Sequence, residues 1–245
     1  MEKGAFSFGL GGLPDDSATK LADSVVQHLE MAMAVGLLTD GERLPTEAEL
    51  AGKLGVSTVT LRQALTILRD RGLIETRRGR GGGSYVQDSG TVSHARAEAR
   101  LRAMSTEKLR DLGDLAEALT GAAARLAALR ALPEDVDRLE ELARHFADAA
   151  DADARRRADS RFHIELGLAA QSSHLTTLMV QTQGHLAPLL WAPKWPAPPG
   201  TAHEHALIMT ALRDHDADAA HRHAIAHCSG ETRVLIDRHL TLASA

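Results

Sequence analysis

Ten of the 13 histidines fall at or after residue 163, and some of them stand where a metal ion could be held. Asp159 and His163 are four apart, so on a helix they share one face and can chelate a common point. His223 and His227 share that spacing, and His203, His205 and His221 lie nearby in the chain. Carboxylate oxygen and imidazole nitrogen suit borderline divalent ions such as Zn²⁺, Ni²⁺ or Mn²⁺, among which geometry rather than affinity chooses. A single helical histidine is more commonly a surface or hydrogen-bonded core residue, and His28, His94, His145 and His239 carry no further signal. Cys228 follows His227, but adjacent helical residues point about 100° apart, so it reads as core rather than ligand.

A second stretch is suited to phosphate. The chain has a formal charge of −5, yet residues 57–80 hold Arg62, Arg69, Arg71, Arg77, Arg78 and Arg80 against only Asp70 and Glu75, a local +4. Local charge decides contact with a polyanion, so the global value says little. The run Arg77-Arg78-Gly79-Arg80-Gly81-Gly82-Gly83 concentrates this charge on a backbone that can approach a groove closely. Arginine there suits a narrow, electronegative minor groove.

The elements around these residues follow from periodicity and capping. Residues 18–36 place Leu21, Val25, Leu29 and Met33 on one helical face closed by Gly36. After a turn at 39–45, Thr46 can cap a second helix, with Glu49 completing a capping box and Gly55 ending it. Ser57 caps a third, carrying Val59, Leu61, Leu65 and Leu68 up to Gly72. Two short helices across a glycine turn make a helix-turn-helix. Residues 73–76 and 84–87 are β-compatible and flank the Arg/Gly run, which makes a hairpin wing.

Residues 88–100 are polar; they link the halves and start the next helix. Helices are expected over 105–131, 134–149, 153–171, 173–191, 203–214 and 216–241, with Leu109, Leu112, Leu115, Leu119, Leu126 and Leu129 forming one long stripe. The fold class is therefore mainly α: a winged helix-turn-helix with a small β-hairpin, then an all-α antiparallel bundle of six or seven helices. The expected organisation is a flexible Gly-rich arm (1–17), a DNA-binding domain (18–88), a linker (89–100) and a helical domain (101–245). One cysteine excludes an intramolecular disulfide, no apolar run reaches a membrane span, and the N-terminus lacks the pattern of a signal peptide. A cytoplasmic location is expected.

Residues 44–86, LPTEAELAGKLGVSTVTLRQALTILRDRGLIETRRGRGGGSYV, resemble the DNA-binding domain of the GntR superfamily. The helical remainder resembles the FCD ligand-binding domain of its FadR branch. The resemblance implies a homodimeric, ligand-responsive transcriptional regulator, read as a repressor, that binds a pseudo-palindromic operator. It implies that the third helix enters the major groove, with Thr58, Thr60 and Arg62 at its exposed start, Arg62 being suited to bidentate contact with guanine. Thr46 is then placed for phosphate, and Arg78, Arg80 and Gly82 for the wing. Ala48 and Thr58 stand where the family often has arginine, so the operator is expected to differ from the commonest one.

In the second half DSRFH matches the family's Asp-x-x-x-His, EHALIMTAL the segment supplying His205, and His227 the third histidine. The implied metal set is Asp159, His163, His205 and His227. An octahedral ion would keep two positions for water or a bidentate organic acid, the effector class the resemblance implies. Ala116 and Thr120, however, occupy positions where an arginine and a glutamate commonly serve the effector carboxylate. Trp191, Lys194 and Trp195 can line a different pocket or anchor a loop. Two other readings stay open here: a metal-dependent enzyme using the Asp/His₃ centre, and a sensor for the metal itself.

Overall fold

The structure, a computed structural model, describes residues 18–79, 81–87 and 94–244. The proposed arm at 1–17, the wing residue Arg80 and the linker stretch 88–93 lie outside the described residues. The chain divides into two compact units, 1–90 and 91–245.

The first unit has three helices, α1 (Ala18–Ala34), α2 (Glu47–Leu54) and α3 (Thr58–Asp70), followed by strands β1 (Ile74–Arg77) and β2 (Gly83–Val86). The α2–α3 corner is specified locally. Thr46 and Glu49 form the reciprocal capping box, Gly55 closes α2 at φ 68°, and the Ser57 hydroxyl accepts the Thr60 amide. Only a residue at ease in the left-handed region can make so tight a stop. The strands pair antiparallel with Ile74 opposite Val86 and Arg77 opposite Gly83, one residue further into the wing on each side than the apolar pattern indicated. Val25, Leu29, Leu50, Leu54, Leu61, Leu65, Leu68 and Ile74 form the core. Each is worth roughly 1.5–3 kcal/mol over exposure, so α3 is held by its inner face and its outer face is left to function.

The second unit holds seven helices among the described residues: α4 (His94–Ala103), α5 (Thr106–Arg130), α6 (Pro133–Ala147), α7 (Ala152–Ala169), α8 (Ser173–Leu190), α9 (Thr201–Arg213) and α10 (Ala217–Ala243). The helix begun in the expected linker is α4 itself. It buries Ala97 and Leu101, and the His239 ring donates from Nδ1 to the Leu101 carbonyl at 3.1 Å, fastening α4 to α10.

The leucine stripe on α5 splits. Leu109, Leu112 and Leu119 are buried, whereas Leu115 and Leu129 are exposed. The buried face is completed by Gly113, Ala116, Thr120, Ala123, Ala124 and Ala127, small residues that let α5 and α10 approach closely. A Cβ at Gly113 would lie 2.3 Å from Thr232 Cγ2. Gly113→Ala is therefore expected to destabilise the protein: overpacking costs about 1–3 kcal/mol, against roughly 1 kcal/mol gained in helix propensity. Thermal unfolding should show the loss, and Thr232→Ala in the same chain should restore it. A Gly113→Ala protein as stable as the parent would mean that the contact yields freely.

Candidate metal centre and nucleic-acid interface

Asp159 and His163 lie one turn apart on α7, His205 on α9 and His227 on α10, all four fully buried. One donor atom from each lies within 4.8 Å of the others. His163 Nε2 is 3.1 Å from His227 Nε2, and Asp159 Oδ1 is 3.4 Å from His205 Nε2 and 3.9 Å from His163 Nε2.

The surroundings fix how these groups point. Trp191, which caps the end of α8, donates from Nε1 to Asp159 Oδ2 at 3.0 Å and leaves Oδ1 to face His205 and His163. His227 donates from Nδ1 to Glu204 Oε2 at 2.8 Å, so Nε2 is turned to the centre. His163 Nδ1 meets the Thr120 hydroxyl at 3.5 Å, with the same consequence. These are the outer contacts that orient imidazoles as ligands. Phe162 stacks on His205 at 4.1 Å, and Phe146 stands edge-on to His205 and Trp191.

Electrostatics sort the cluster. Burial lowers the pKa of His163 to about 3 and also lowers that of His205, so both are neutral with lone pairs to offer. Burial alone would raise the Asp159 carboxyl, but His205, His163 and His227 outweigh it and hold it down. Burial also opposes charge on His227, yet Glu231, Glu204 and Asp159 together raise it to about 9. A proton on His227 Nε2 then separates it from His163 Nε2. A divalent cation can replace that proton, and it would also take Asp159 Oδ1 and His205 Nε2, which face each other at 3.4 Å without a hydrogen bond. The donor set fits a metal.

The sequence pattern did not find Glu204, Glu231 or the Trp191–Asp159 bond. Glu231 had a visible signal, since it stands four residues after His227 on the same helix. Of the two tryptophans read as pocket residues, Trp191 belongs to this centre. Trp195 packs instead against His94 at 5.1 Å and beneath Arg238 at 5.0 Å, and Lys194 is exposed. His221 and His223 are half-buried and His203 exposed, outside the set of four.

In the first unit the outer face of α3 differs from expectation at two places. Thr60, expected at the exposed start, is 4% exposed, and its hydroxyl lies 2.8 Å from that of Ser57. Val59, read as part of the apolar face, is 62% exposed. The reason is phase: Thr60, Leu61, Ala64, Leu65 and Leu68 make the buried face, and Val59 falls outside it. Thr46, Thr58 and Arg62 are exposed. Arg62 Nε donates to Glu47 Oε2 at 2.6 Å across the α2–α3 corner.

At the wing Arg78 is exposed, while Arg77 pairs with Glu75 and lies 4.2 Å over the Tyr85 ring. Gly82 is required by the turn, because a Cβ there would meet the Arg77 carbonyl at 2.8 Å. Arg43, which the sequence did not single out, donates from Nη2 to the Gly82 carbonyl at 2.6 Å. The Leu44 amide bonds Ser84 and the Val86 amide bonds Glu42, so residues 42–44 brace β2.

The family model described as "Bacterial regulatory proteins, gntR family" matches residues 21–83, and that described as "FCD domain" matches 111–230. A putative HTH-type transcriptional regulator, RmpR of Mycobacterium gastri, is 39% identical over 228 residues, spanning 91% of this chain and 83% of its own. The chain belongs to the GntR family. As a GntR regulator with an FCD domain it is a DNA-binding transcriptional regulator, in a family of regulators rather than enzymes. The putative L-lactate dehydrogenase operon regulatory protein of Escherichia coli K12 is 29% identical over 223 residues, covering 86% of this chain and 84% of its own. Among solved structures E. coli McbR/YncC has the same fold, with a TM-score of 0.54 at 19% identity over 89% of this chain and 97% of that one.

GntR regulators bind DNA and usually dimerise, and FCD domains often hold metals, which agrees in kind with the buried Asp/His cluster. Ala116 and Thr120, the two departures from the FCD pattern, are both buried on α5, and Thr120 touches His163 directly. No helix among the described residues is long and apolar enough to cross a membrane.

Proposed function

We propose that this GntR regulator is a homodimeric repressor that reads a pseudo-palindromic operator and releases it when a small organic acid binds at a divalent metal in the FCD domain. The observation that carries the reading is the convergence of four buried donors from three helices on one point. Zn²⁺, Ni²⁺ or Mn²⁺ held by Asp159, His163, His205 and His227 supplies a Lewis-acidic centre to which a carboxylate binds. The E. coli relative named for an L-lactate dehydrogenase operon makes a small hydroxy acid the class to try first. The organic acid acts only through unequal affinity for DNA-competent and DNA-incompetent arrangements.

On the DNA side Arg62 takes a guanine edge, Val59 packs on a thymine methyl, and Thr58 lies beside them. Thr46 and the helix start contact phosphate. Thr60 holds the start of α3 through Ser57, and Arg78, Arg80 and Gly82 form the minor-groove wing. A gel-shift with the chain's own upstream DNA tests the whole reading, with and without each metal and candidate acids. The expected result is a specific complex whose affinity falls steeply with salt and is weakened by an acid only in metal-loaded protein. No complex beyond that with random DNA, or a complex indifferent to metal and acid alike, would overturn it.

Metal uptake should also depend on pH in a set direction. The His227 proton, held up to about 9, must leave before the ion enters. Affinity should therefore rise with pH between neutrality and that value, then flatten. Competition titration against a chelator of known pH dependence reads the slope, and a flat profile would mean that no proton is exchanged.

A further inference from the structure

We propose that Glu231 is a fifth protein ligand of the metal centre, so that the effector reaches the ion through a single donor atom rather than as a chelating pair. The proposal rests on the metal reading above and adds a residue outside the Asp/His₃ set. Glu231 follows His227 by four residues on α10, as His163 follows Asp159 on α7. Each of the two helices therefore offers a carboxylate and an imidazole on one face.

Glu231 is 5% exposed, and its Oε1 has no hydrogen-bond partner. That oxygen lies 3.7 Å from His227 Nε2, the nitrogen that lies 3.1 Å from His163 Nε2. Donor atoms sharing an ion through bonds of about 2.1 Å stand roughly 3.0–3.4 Å apart when adjacent. Glu231 Oε1 therefore stands beside the four converging donors rather than among them, and a turn of its three-torsion side chain brings it onto the ion.

The cation facing this carboxyl is the His227 imidazolium, whose proton the ion would replace. Its charged neighbours are His227 on its own helix, Asp159 on α7 and Glu204 on α9. Glu204 is already engaged with His227 Nδ1. On α5 the residues at the familiar effector positions are Ala116 and Thr120, which carry no charge. A divalent ion balances Asp159 and Glu231 together and gives Oε1 its missing partner. With five protein donors, an octahedral ion keeps one position instead of two, and an acid that binds through two oxygens no longer fits.

Co²⁺ titration of the full chain tests this, using the visible spectrum and chelator competition for the parent, Glu231→Gln and Glu231→Ala. Both variants are expected to bind Co²⁺ on the order of 10–100-fold more weakly, with shifted bands. Lactate, a two-oxygen donor, should perturb the spectrum of Co²⁺-loaded Glu231→Ala, whereas the parent should respond to acetate but not chelate lactate. Unchanged spectra and affinities within about twofold would overturn the proposal. If Asp159→Asn abolishes Co²⁺ binding while Glu231→Gln does not alter it, Glu231 alone is excluded; if the parent takes up no stoichiometric Co²⁺, the metal reading fails with it. Should both variants fail to fold, infrared difference spectra of the parent with and without Co²⁺ decide: a shift of Glu231 beside those of Asp159 and the His227-bonded Glu204, three carboxyl groups in all, supports the assignment, and two overturn it.

Discussion

Asp159→Asn is expected to abolish the stabilisation that a divalent metal gives this regulator. Asparagine keeps an oxygen for Trp191 Nε1 but removes the charge of the one carboxylate among the four converging donors. Loss of an outer contact alone typically costs 10–100-fold in metal affinity, so loss of an anionic ligand should cost on the order of a hundredfold or more. At a metal concentration about 100 times the parent's dissociation constant, binding stabilises the parent by about 2.7 kcal/mol. A hundredfold weaker variant gains only about 0.4 kcal/mol by the same relation. The measurement is the difference in melting temperature with and without metal within each protein, so any effect of the substitution on the metal-free fold cancels. Equal metal-induced shifts in parent and variant would remove Asp159 from the centre.

Arg62→Ala should cost the operator complex far more than a random-DNA complex. A bidentate arginine–guanine contact contributes about 1–3 kcal/mol of discrimination, which is roughly 5- to 150-fold in relative affinity. The variant also leaves Glu47, whose Oε2 now pairs with Arg62 Nε at 2.6 Å, facing the DNA without its cation. Glu47→Ala in the same chain should therefore recover part of the non-specific affinity but none of the discrimination. Arg78→Ala supplies the contrast: an exposed wing arginine is expected to weaken all sequences alike and to lower the salt slope by about one. Gel-shifts on operator and scrambled DNA over a salt series separate the two behaviours. Equal losses on both DNAs for Arg62→Ala would make Arg62 a phosphate contact.

These substitutions fall at residues whose legibility in the sequence differed. Asp159 and His163 were readable because a four-residue spacing on one helix is a local geometric fact. His205 and His227 were reached only through family likeness, since nothing local brings α7, α9 and α10 to one point. Glu204, Glu231 and the Trp191 bond were missed because each acts across helices or beside a ligand. Periodicity cannot see such pairs. On α3 the buried phase set by Leu61, Ala64, Leu65 and Leu68 turns Thr60 inward and Val59 outward, the reverse of what their residue types suggest.

The sequence by itself determined the pieces that short-range physics controls. The Thr46 capping box, the left-handed Gly55, the Ser57 cap and the glycine-bound wing turn all act within a few residues. The concentration of arginine over 57–80 was likewise visible without coordinates. Tertiary structure decided which arginines are engaged in pairs and which leucines of α5 are buried. There, close packing on α10 selected Gly113, Ala116 and Thr120 for the interior and left Leu115 and Leu129 outside. It also decided that four buried donors from three helices meet at one point. Burial there removes water as a competitor, which strengthens every electrostatic contact the four donors make.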